Sequence, residues 1–290
     1  MRFVTNFKGF SGCSIQLYSD NGGYFVRKIS KSIEYNDRLK KQMLKQDYFN
    51  KKLANGKIVA PEILKEGTMN SLFFFDMEYV NGTNLIEYIY DADINELLEI
   101  SKDLCLIINL MKSQEDNENI NPAHIMDKIE SVRSSLNNEI NQDIFNDLKD
   151  KASLMKKYNN IKKTFCHGDL TMENIIYDKA DKKYYLIDFL DSFIEHYWFD
   201  ISKLFQDIEG KWYKFRNPKI DLNNILPKMN FINGFIRGNL LENEDIYKKN
   251  HNFFLSLNFA RILPYAEEKE RGYLVSMIKE SIEKSKASLI

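Results

Sequence analysis

The stretch CHGDLTMENIIYDKADKKYYLIDFLD, residues 166–191, decides the fold. Two apolar runs of strand length, IIY and YYLI, flank the turn DKADKK, which predicts a β-hairpin. Antiparallel pairing brings Asn174, at the start of the first strand, beside Asp188, at the end of the second. An amide oxygen and a carboxylate are hard ligands that suit a Mg²⁺ ion carrying phosphate oxygens. Asp169, on the preceding loop, is then available to accept a proton from an attacking hydroxyl.

Size and charge narrow the class of protein. The chain has 290 residues and a mass of 34.3 kDa, which fits one large domain or two lobes sharing a cleft. A hydrophobic share of 43% and an aromatic share of 13% are enough for a substantial core, so a disordered chain is excluded. The 41 basic residues nearly balance the 42 acidic ones, which argues against nucleic acid as a partner.

The cysteines and the apolar runs of the sequence indicate the cellular compartment to expect. The three cysteines Cys13, Cys105 and Cys166 lie far apart and predict neither a zinc site nor a disulfide framework, which favours a reducing compartment. The opening residues MRFVTNFKGF lack the apolar core of a signal peptide, and no run approaches the roughly 18 apolar residues of a membrane span. We therefore expect a cytoplasmic protein without a membrane partner.

Outside the hairpin, the first 80 residues and the rest of the chain differ in their pattern of apolar residues. The first 80 residues predict strands at FVTNF, SIQLYS and YFVRKIS, a helix over about 33–54, and strands near 62–65 and 72–79. The remainder predicts helices over 94–112 and 141–158 and three more after 221, with strands confined to 164–190. The predicted class is α+β: a small β-rich N-terminal lobe, residues 1–80, and a larger, mostly helical C-terminal lobe, residues 81–290.

The H-G-D-x-x-x-x-N pattern that starts at His167, followed by Ile187-Asp188, resembles the catalytic region of the aminoglycoside phosphotransferase and choline kinase superfamily, relatives of the protein kinases. Further segments match that superfamily in its own order: GFSGCS (9–14), FVRKI (25–29), FFFDMEYVNGTNL (73–85) and FDISKLFQD (199–207). The resemblance frames residues 9–207. It implies a two-lobed protein-kinase-like fold that binds ATP or GTP and Mg²⁺ between its lobes, with Asp169 as catalytic base and Asn174 and Asp188 as magnesium ligands.

The segment 9–14 resembles the nucleotide loop of that superfamily. Gly9, Ser11 and Gly12 are small enough to let backbone N–H groups turn toward phosphate oxygens, although a plain hairpin connection has the same composition. On the strand at 25–29, alternation places Lys28 on the face opposite Arg27. The resemblance implies a phosphate-binding lysine on this strand. If Val26 lines the adenine site, Lys28 shares its face and is expected to reach the α- and β-phosphates, with Arg27 as the competitor for that role.

The strand and hinge at 73–85 are expected to hold the adenine. Met77 would lie at the back of the pocket, while the carbonyl of Glu78 and the amide of Val80 would bond the purine edge. Because backbone groups do this work, an ordinary core strand remains an alternative.

Three details of the resemblance remain open. The superfamily usually holds its lysine with a glutamate of the following helix, but no glutamate lies between residues 38 and 61, so Glu34, a glutamine (Gln42 or Gln46) or Asp47 must substitute. Asp200 is expected to brace the catalytic loop, and an N-cap position at the start of a helix is compatible with that role. His167 is expected to pack that loop rather than act as the base.

The acceptor site is the least defined part. Tyr197, Trp198, Trp212 and Tyr213 could surround a quaternary ammonium, and Glu267, Glu268 and Glu270 could bind an aminoglycoside, although core packing of Trp198 and a solvated helix face for the glutamates are the favoured explanations. Arg261 is either a ligand for a polar or anionic substrate or part of a surface ion pair.

Taken together, the sequence predicts a phosphotransferase that moves the γ-phosphate of ATP (or GTP) to a hydroxyl of a small molecule: a sugar, an amino alcohol or an aminoglycoside. A choline- or ethanolamine-type kinase and a nucleotide-binding pseudokinase scaffold are the competing hypotheses. A protein kinase is disfavoured, since the chain reads Asp188-Phe189-Leu190 and no D-F-G and A-P-E pair bounds an activation segment. The acceptor and the oligomeric state are left undetermined.

Overall fold

The computed structural model describes residues 1–7, 12–20, 22–136 and 142–287. The chain forms two compact units. The first comprises Met1–Tyr88 and Glu173–Asp191, and the second comprises Ile89–Met172 and Ser192–Ile290. The segment 173–191, assigned by the sequence to the C-terminal lobe, therefore clusters with the N-terminal residues, while the lobe boundary at residue 80 stays a prediction. The predicted α+β class is confirmed.

The first unit contains an antiparallel sheet of five strands. They are β1 (Arg2–Phe7), β2 (Ser14–Asp20), β3 (Gly23–Ile29), β5 (Ile63–Met69) and β6 (Leu72–Glu78), in the order β1-β2-β3-β6-β5. Helix α1 (Asn36–Lys52), preceded by a 3-10 turn over Ile33–Tyr35, packs on this sheet. Its Leu39 and Met43 join a core that includes Val26, Phe75 and Met77.

A second sheet of the same unit contains the predicted hairpin, which is confirmed. Its strands are β4 (Ile58–Val59), β7 (Thr83–Asn84), β10 (Ile175–Asp178) and β11 (Lys183–Leu186), in the order β4-β11-β10-β7. In the hairpin Ile175 faces Leu186, which places the residues before β10 beside those after β11.

The second unit is mostly helical. From Leu85 onward the chain forms α2 (Leu85–Asp91), α3 (Ile94–Ser113), α4 (Ala123–Ser135), α5 (Asp143–Leu154), α6 (Tyr197–Ile208), α7 (Tyr213–Arg216), α8 (Leu222–Asn239), α9 (Asp245–Ile262) and α10 (Glu268–Ala287). Two short strands, β8 (Glu115–Asn119) and β9 (Lys162–Thr164), pair antiparallel. Helix α6 is buried along its whole length because α3, α8 and α9 pack around it. It therefore forms the core of this unit.

The structure contains several elements that were not predicted, among them α2, α7, β4 and β7, and three further differences have a clear local basis. The strand expected over 164–169 ends at Thr164, and three residues further on the backbone N–H groups of His167 and Gly168 donate to the Asp200 side chain of α6 instead of to a neighbouring strand. Helix α4 was not predicted, although Ile125, Ile129 and Val132 follow helical spacing and are buried. Strand β8 was not predicted either, since its sequence EDNEN is polar and fully exposed.

No helix in the described ranges combines the length and the apolar character that crossing a membrane requires.

Candidate active site

Lys28, the predicted phosphate ligand, lies on β3 and contacts a predicted metal ligand. Its side chain is 3% exposed, and its Nζ lies 2.8 Å from Oδ1 of Asp188, 160 positions along the chain. Burial lowers the pKa of Lys28, but the Asp188 carboxylate outweighs it, so the pKa is raised above its ordinary value. Lys28 is therefore a cation held against a carboxylate inside the first unit.

Arg27, the competitor for that role, lies on the other face of β3. Its guanidinium forms two hydrogen bonds with the Asp76 carboxylate, of 2.7 and 2.8 Å, and its Cζ lies 4.3 Å from the centre of the Phe74 ring. Because Asp76 is its direct neighbour in register on β6, this ion pair ties the two strands together. The alternation of β3 thus separates a structural arginine from Lys28.

A neutral amide takes part of the place of the helix glutamate that usually holds the lysine in the superfamily. Gln42 of α1 is buried, and its Oε1 accepts from Lys28 Nζ at 3.5 Å. The remaining candidate partners lie elsewhere: Glu34 is exposed, Gln46 donates to the carbonyl of Pro61, and Asp47 pairs with Lys51. The negative charge beside the lysine therefore comes from Asp188 and not from α1.

Asp188 follows β11 in an unusual backbone conformation. Its φ is +60°, in the left-handed region that non-glycine residues rarely adopt. The backbone N–H of Ile187 donates to the carbonyl of Asn174 at 3.0 Å, which brings the two predicted magnesium ligands to the same end of the hairpin. Lys45 of α1 donates to the carbonyl of Leu190 at 2.8 Å and holds the residues that follow.

The predicted nucleotide-binding residues are only partly described. Gly12 has a φ of +79°, a conformation that favours glycine, and a Cβ there would lie 3.1 Å from Cδ of Lys31. Gly9 and Ser11 lie outside the described residues. Met77 is buried opposite Val26, whereas Glu78 and Val80 are half-buried at the end of β6 and just beyond it.

The loop that carries Asp169 is anchored by α6. Asp200, 0% exposed, accepts the backbone N–H of His167 at 2.6 Å and that of Gly168 at 2.9 Å. Gly168 has a φ of +87°, which turns the chain toward this carboxylate. The N-cap of α6 is His196 rather than Asp200, so an N-cap position for Asp200 is wrong and the bracing contact is what the structure contains.

Asp169 itself forms an ion pair within the second unit. Its Oδ1 lies 3.0 Å from Nζ of Lys203 on α6, and its side chain is 30% exposed. Burial raises the pKa of the Asp169 carboxyl, but Lys203 and, to a smaller extent, Arg261 outweigh burial and hold the pKa below its ordinary value. Asp169 is therefore ionised at neutral pH.

Lys203 is the functional candidate that the sequence reasoning missed. It is buried on α6, and a buried ammonium requires an anionic or hydrogen-bonding partner. A lysine inside this otherwise buried helix, three residues after Asp200, was a signal available in the sequence. Its Nζ also contacts Oε1 of Gln206 at 3.1 Å.

The side chains considered for acceptor binding have mostly other roles. The four aromatic candidates are buried in the core of the second unit: Tyr197, Trp198, Trp212 and Tyr213. Of the three glutamates, Glu267 and Glu268 are exposed, and Glu270 accepts the backbone N–H of Glu267 at the start of α10. The described residues thus contain neither an open aromatic cage nor a carboxylate cluster built from these side chains.

The donor set for a metal is small. Within the described ranges no group of three or more His, Cys, Asp and Glu side chains is placed to hold an ion. Mg²⁺ is commonly bound by one or two protein oxygens together with substrate phosphates, so the oxygens of Asp188 and Asn174 fit it by their chemistry.

The sequence comparisons identify the family of the chain. The family model described as the phosphotransferase enzyme family (APH) matches residues 8–221, a range that includes Lys28, Asp169 and Asp188. The chain belongs to this family and is a small-molecule phosphotransferase. A comparison with curated protein sequences finds no match.

Solved structures of aminoglycoside phosphotransferases share the fold, which confirms the predicted kinase-like class. A thermostable mutant of APH(4)-Ia, in ternary complex with AMP-PNP and hygromycin B, has 11% identity and a TM-score of 0.68 over 98% of this chain and 94% of that one. APH(3'')-Id from Streptomyces rimosus, in complex with ADP and streptomycin, has 14% identity and a TM-score of 0.57 over 86% and 92%. The type VIII aminoglycoside-3'-phosphotransferase has 13% identity and a TM-score of 0.53 over 89% and 92%.

Proposed function

We propose that this protein transfers the γ-phosphoryl group of ATP to a hydroxyl of a small molecule. The observation that carries the proposal is the 2.8 Å contact between Lys28 and Asp188, since a phosphate-binding cation and a metal-binding carboxylate must occupy the same site. Family membership supports the same reaction class, and a solved relative of the same fold is bound to the ATP analogue AMP-PNP.

In this proposal the first unit binds the nucleotide. Lys28 neutralises the α- and β-phosphates, and the backbone of Gly9, Ser11 and Gly12 donates N–H groups to phosphate oxygens. The adenine lies against Met77, with the backbone of Glu78 and Val80 forming hydrogen bonds to the purine edge. Because backbone groups read the purine, GTP is a second candidate donor and the assay below includes it.

Asp188 and Asn174 would hold magnesium. Bound there, the ion would neutralise charge on the β- and γ-phosphates. The left-handed backbone at Asp188 supports a specialised role, since such conformations persist where surrounding structure fixes them.

Asp169 would orient the acceptor hydroxyl and receive its proton. The hydroxyl oxygen forms a bond to the γ-phosphorus, the bond from that phosphorus to the bridging oxygen of ADP breaks, and the hydroxyl proton passes to the Asp169 carboxylate. A pKa held below the ordinary value makes Asp169 a weak base. This suits a loose transition state, in which alignment of the hydroxyl matters more than early proton removal.

The test is ATP consumption with separate detection of the phosphorylated product, on a panel of sugars, amino alcohols and aminoglycosides, repeated with GTP. We expect product from at least one acceptor class and only background ADP without acceptor. Nucleotide binding without any product would contradict the proposal and favour the pseudokinase scaffold, for which the neutral Gln42 beside Lys28 is the supporting observation.

A further inference from the structure

Two neighbouring cavities lie at the C-terminal end of α6, within the second unit. Their volumes are about 330 and 410 Å³, and small-molecule sites typically measure about 300–1,000 Å³. Glu209, Lys211, Asn252 and Lys284 line both cavities and form a shared wall between them. None of the described residues proposed for catalysis or for nucleotide binding lines either one.

The carboxylates that line the cavities are already paired with cations or hydrogen-bond donors. Glu209 contacts the guanidinium of Arg237 through Oε1, and its Oε2 lies 3.0 Å from Nε2 of His251. Glu280, in the first cavity, pairs with Lys284 of the same helix at 2.7 Å. Because each carboxylate has its own partner, neither is available to attract a cationic ligand.

Lys211 brings a cation to both cavities without a counter-charge of its own. Lys248, in the second cavity, pairs with Asp245 at 2.8 Å, whereas the side chain of Lys211 forms no hydrogen bond or ion pair with any residue that the structure describes. Its φ is +50°, a left-handed conformation that glycine usually adopts just after a helix. The N–H of Lys211 donates to the carbonyl of Asp207 at 2.9 Å, which fixes the lysine in this position. Strained backbone of this kind is characteristic of ligand-binding positions.

Two neutral polar side chains of the first cavity also lack partners. Ser281 of α10 is 3% exposed, and Asn252 of α9 is half-buried. Across the described part of the chain, neither the Ser281 hydroxyl nor the Asn252 amide forms a hydrogen bond. Buried polar groups are nearly always hydrogen-bonded, so a hydroxyl this deeply buried requires a polar partner inside the cavity.

These donors favour a phosphate group over a carboxylate. An ammonium acts as a point charge toward phosphate oxygens, whereas the planar carboxylate is matched best by the two parallel nitrogens of a guanidinium. The guanidinium of Arg237 is already engaged by Glu209. A single ammonium together with hydroxyl and amide donors therefore suits a tetrahedral anion.

We propose that the two cavities form a second binding site, which takes a small organic phosphate. The phosphate group would meet Lys211, Asn252 and Ser281, and the carbon skeleton would lie against Leu255 and Met277, which line the first cavity. The inference is independent of the proposed function, because none of these residues takes part in the proposed phosphoryl transfer.

The experiment titrates the full chain with glucose 6-phosphate, glucuronate and glucose, which share a ring and differ in their charged group. Saturation-transfer NMR measures Kd, and thermal unfolding measures stability. Lys211→Gly removes the charge and relieves the left-handed backbone, while Ser281→Ala removes the buried hydroxyl. Lys219→Gly removes the same charge from an exposed turn and is the matched control. Lys28→Met tests whether the phosphate binds at the nucleotide site instead.

We expect glucose 6-phosphate to bind most tightly. Lys211→Gly should raise its Kd by roughly 10- to 100-fold, the usual effect of losing a hydrogen bond to a charged group. The same variant should not lower the unfolding temperature, since glycine adopts positive φ readily. Ser281→Ala should raise the Kd by roughly 2- to 10-fold, whereas Lys219→Gly and Lys28→Met should retain the wild-type value.

The inference is overturned if glucose 6-phosphate is not the tightest of the three ligands, or if Lys211→Gly and Ser281→Ala leave its Kd unchanged. Loss of binding in Lys28→Met would also overturn it, by locating the phosphate at the nucleotide site. If Lys211→Gly does not fold, the Kd of Ser281→Ala decides the question.

Discussion

The Asp200 carboxylate offers the sharpest test of how the catalytic loop is held. It is fully buried and accepts two backbone N–H groups, of His167 at 2.6 Å and of Gly168 at 2.9 Å. Replacing it by asparagine keeps the shape but leaves one oxygen, so one N–H loses its acceptor and meets an NH₂ group instead. A buried unsatisfied donor costs about 1–3 kcal/mol, and loss of a charged acceptor adds to that.

We therefore expect Asp200→Asn to lower the free energy of unfolding by about 2–4 kcal/mol. Because the released backbone carries Asp169, kcat should fall by a factor of about 10 or more, as misplacement of a reacting group typically costs, while nucleotide affinity stays unchanged. Denaturant unfolding, nucleotide titration and steady-state kinetics with a turned-over acceptor measure the three quantities.

Asp221→Asn is the matched control. Asp221 is the exposed N-cap of α8, where its side chain accepts the backbone N–H of Asn223 at 2.9 Å. Asparagine caps helices as well as aspartate does, so the control should change stability by no more than about 0.5 kcal/mol. If Asp200→Asn matched this control in stability and rate, the bracing role would be refuted.

Three further outcomes are expected. Asp169 must be ionised to act, so wild-type activity should persist as pH falls until the pKa of Asp169, below its ordinary 3.8, is reached. Lys203→Met removes the largest of the cationic influences that oppose burial, which moves that acid limb to higher pH in a pH–rate profile; an unmoved limb would contradict the ion pair's role. Lys28→Met should lower kcat/KM for ATP by roughly 10- to 100-fold, whereas the control Lys40→Met, at an exposed position, should not change it. Equal effects of the two substitutions would argue against phosphate binding by Lys28. Gly168→Ala forces a side chain into φ +87°, at a cost of about 1–2 kcal/mol in unfolding free energy, and unchanged stability would show that the turn relaxes freely.

Local sequence pattern was sufficient to predict the hairpin and the two faces of β3. The hairpin followed from two apolar runs with a polar turn between them, and strand alternation separated Lys28 from Arg27, as their different partners Asp188 and Asp76 show. These features depend on neighbours along the chain or across one strand pair. The sequence therefore contained the information directly.

The site residues of the second unit depend on contacts between residues distant in sequence, which local sequence pattern does not predict. The partner of Asp169 lies 34 positions away on a helix whose start is hard to locate from sequence, because histidine is an uncommon N-cap. The sequence favoured a core position for Trp198 over ligand binding but could not show what packs against it, and in the structure α9 packs on α6 and Trp198 is buried. The cytoplasmic location, the oligomeric state and the acceptor itself stay predictions or open questions.

The most direct test of the account is Asp169→Asn, measured in one experiment for nucleotide binding and for phosphoryl transfer. Loss of a positioned general base should reduce kcat by a factor of about 10²–10⁴, while ATP affinity remains at the wild-type value, since Asp169 is not among the proposed nucleotide ligands. Asp221→Asn should leave both unchanged. Turnover by Asp169→Asn at the wild-type rate would contradict the central claim that this carboxylate receives the acceptor proton.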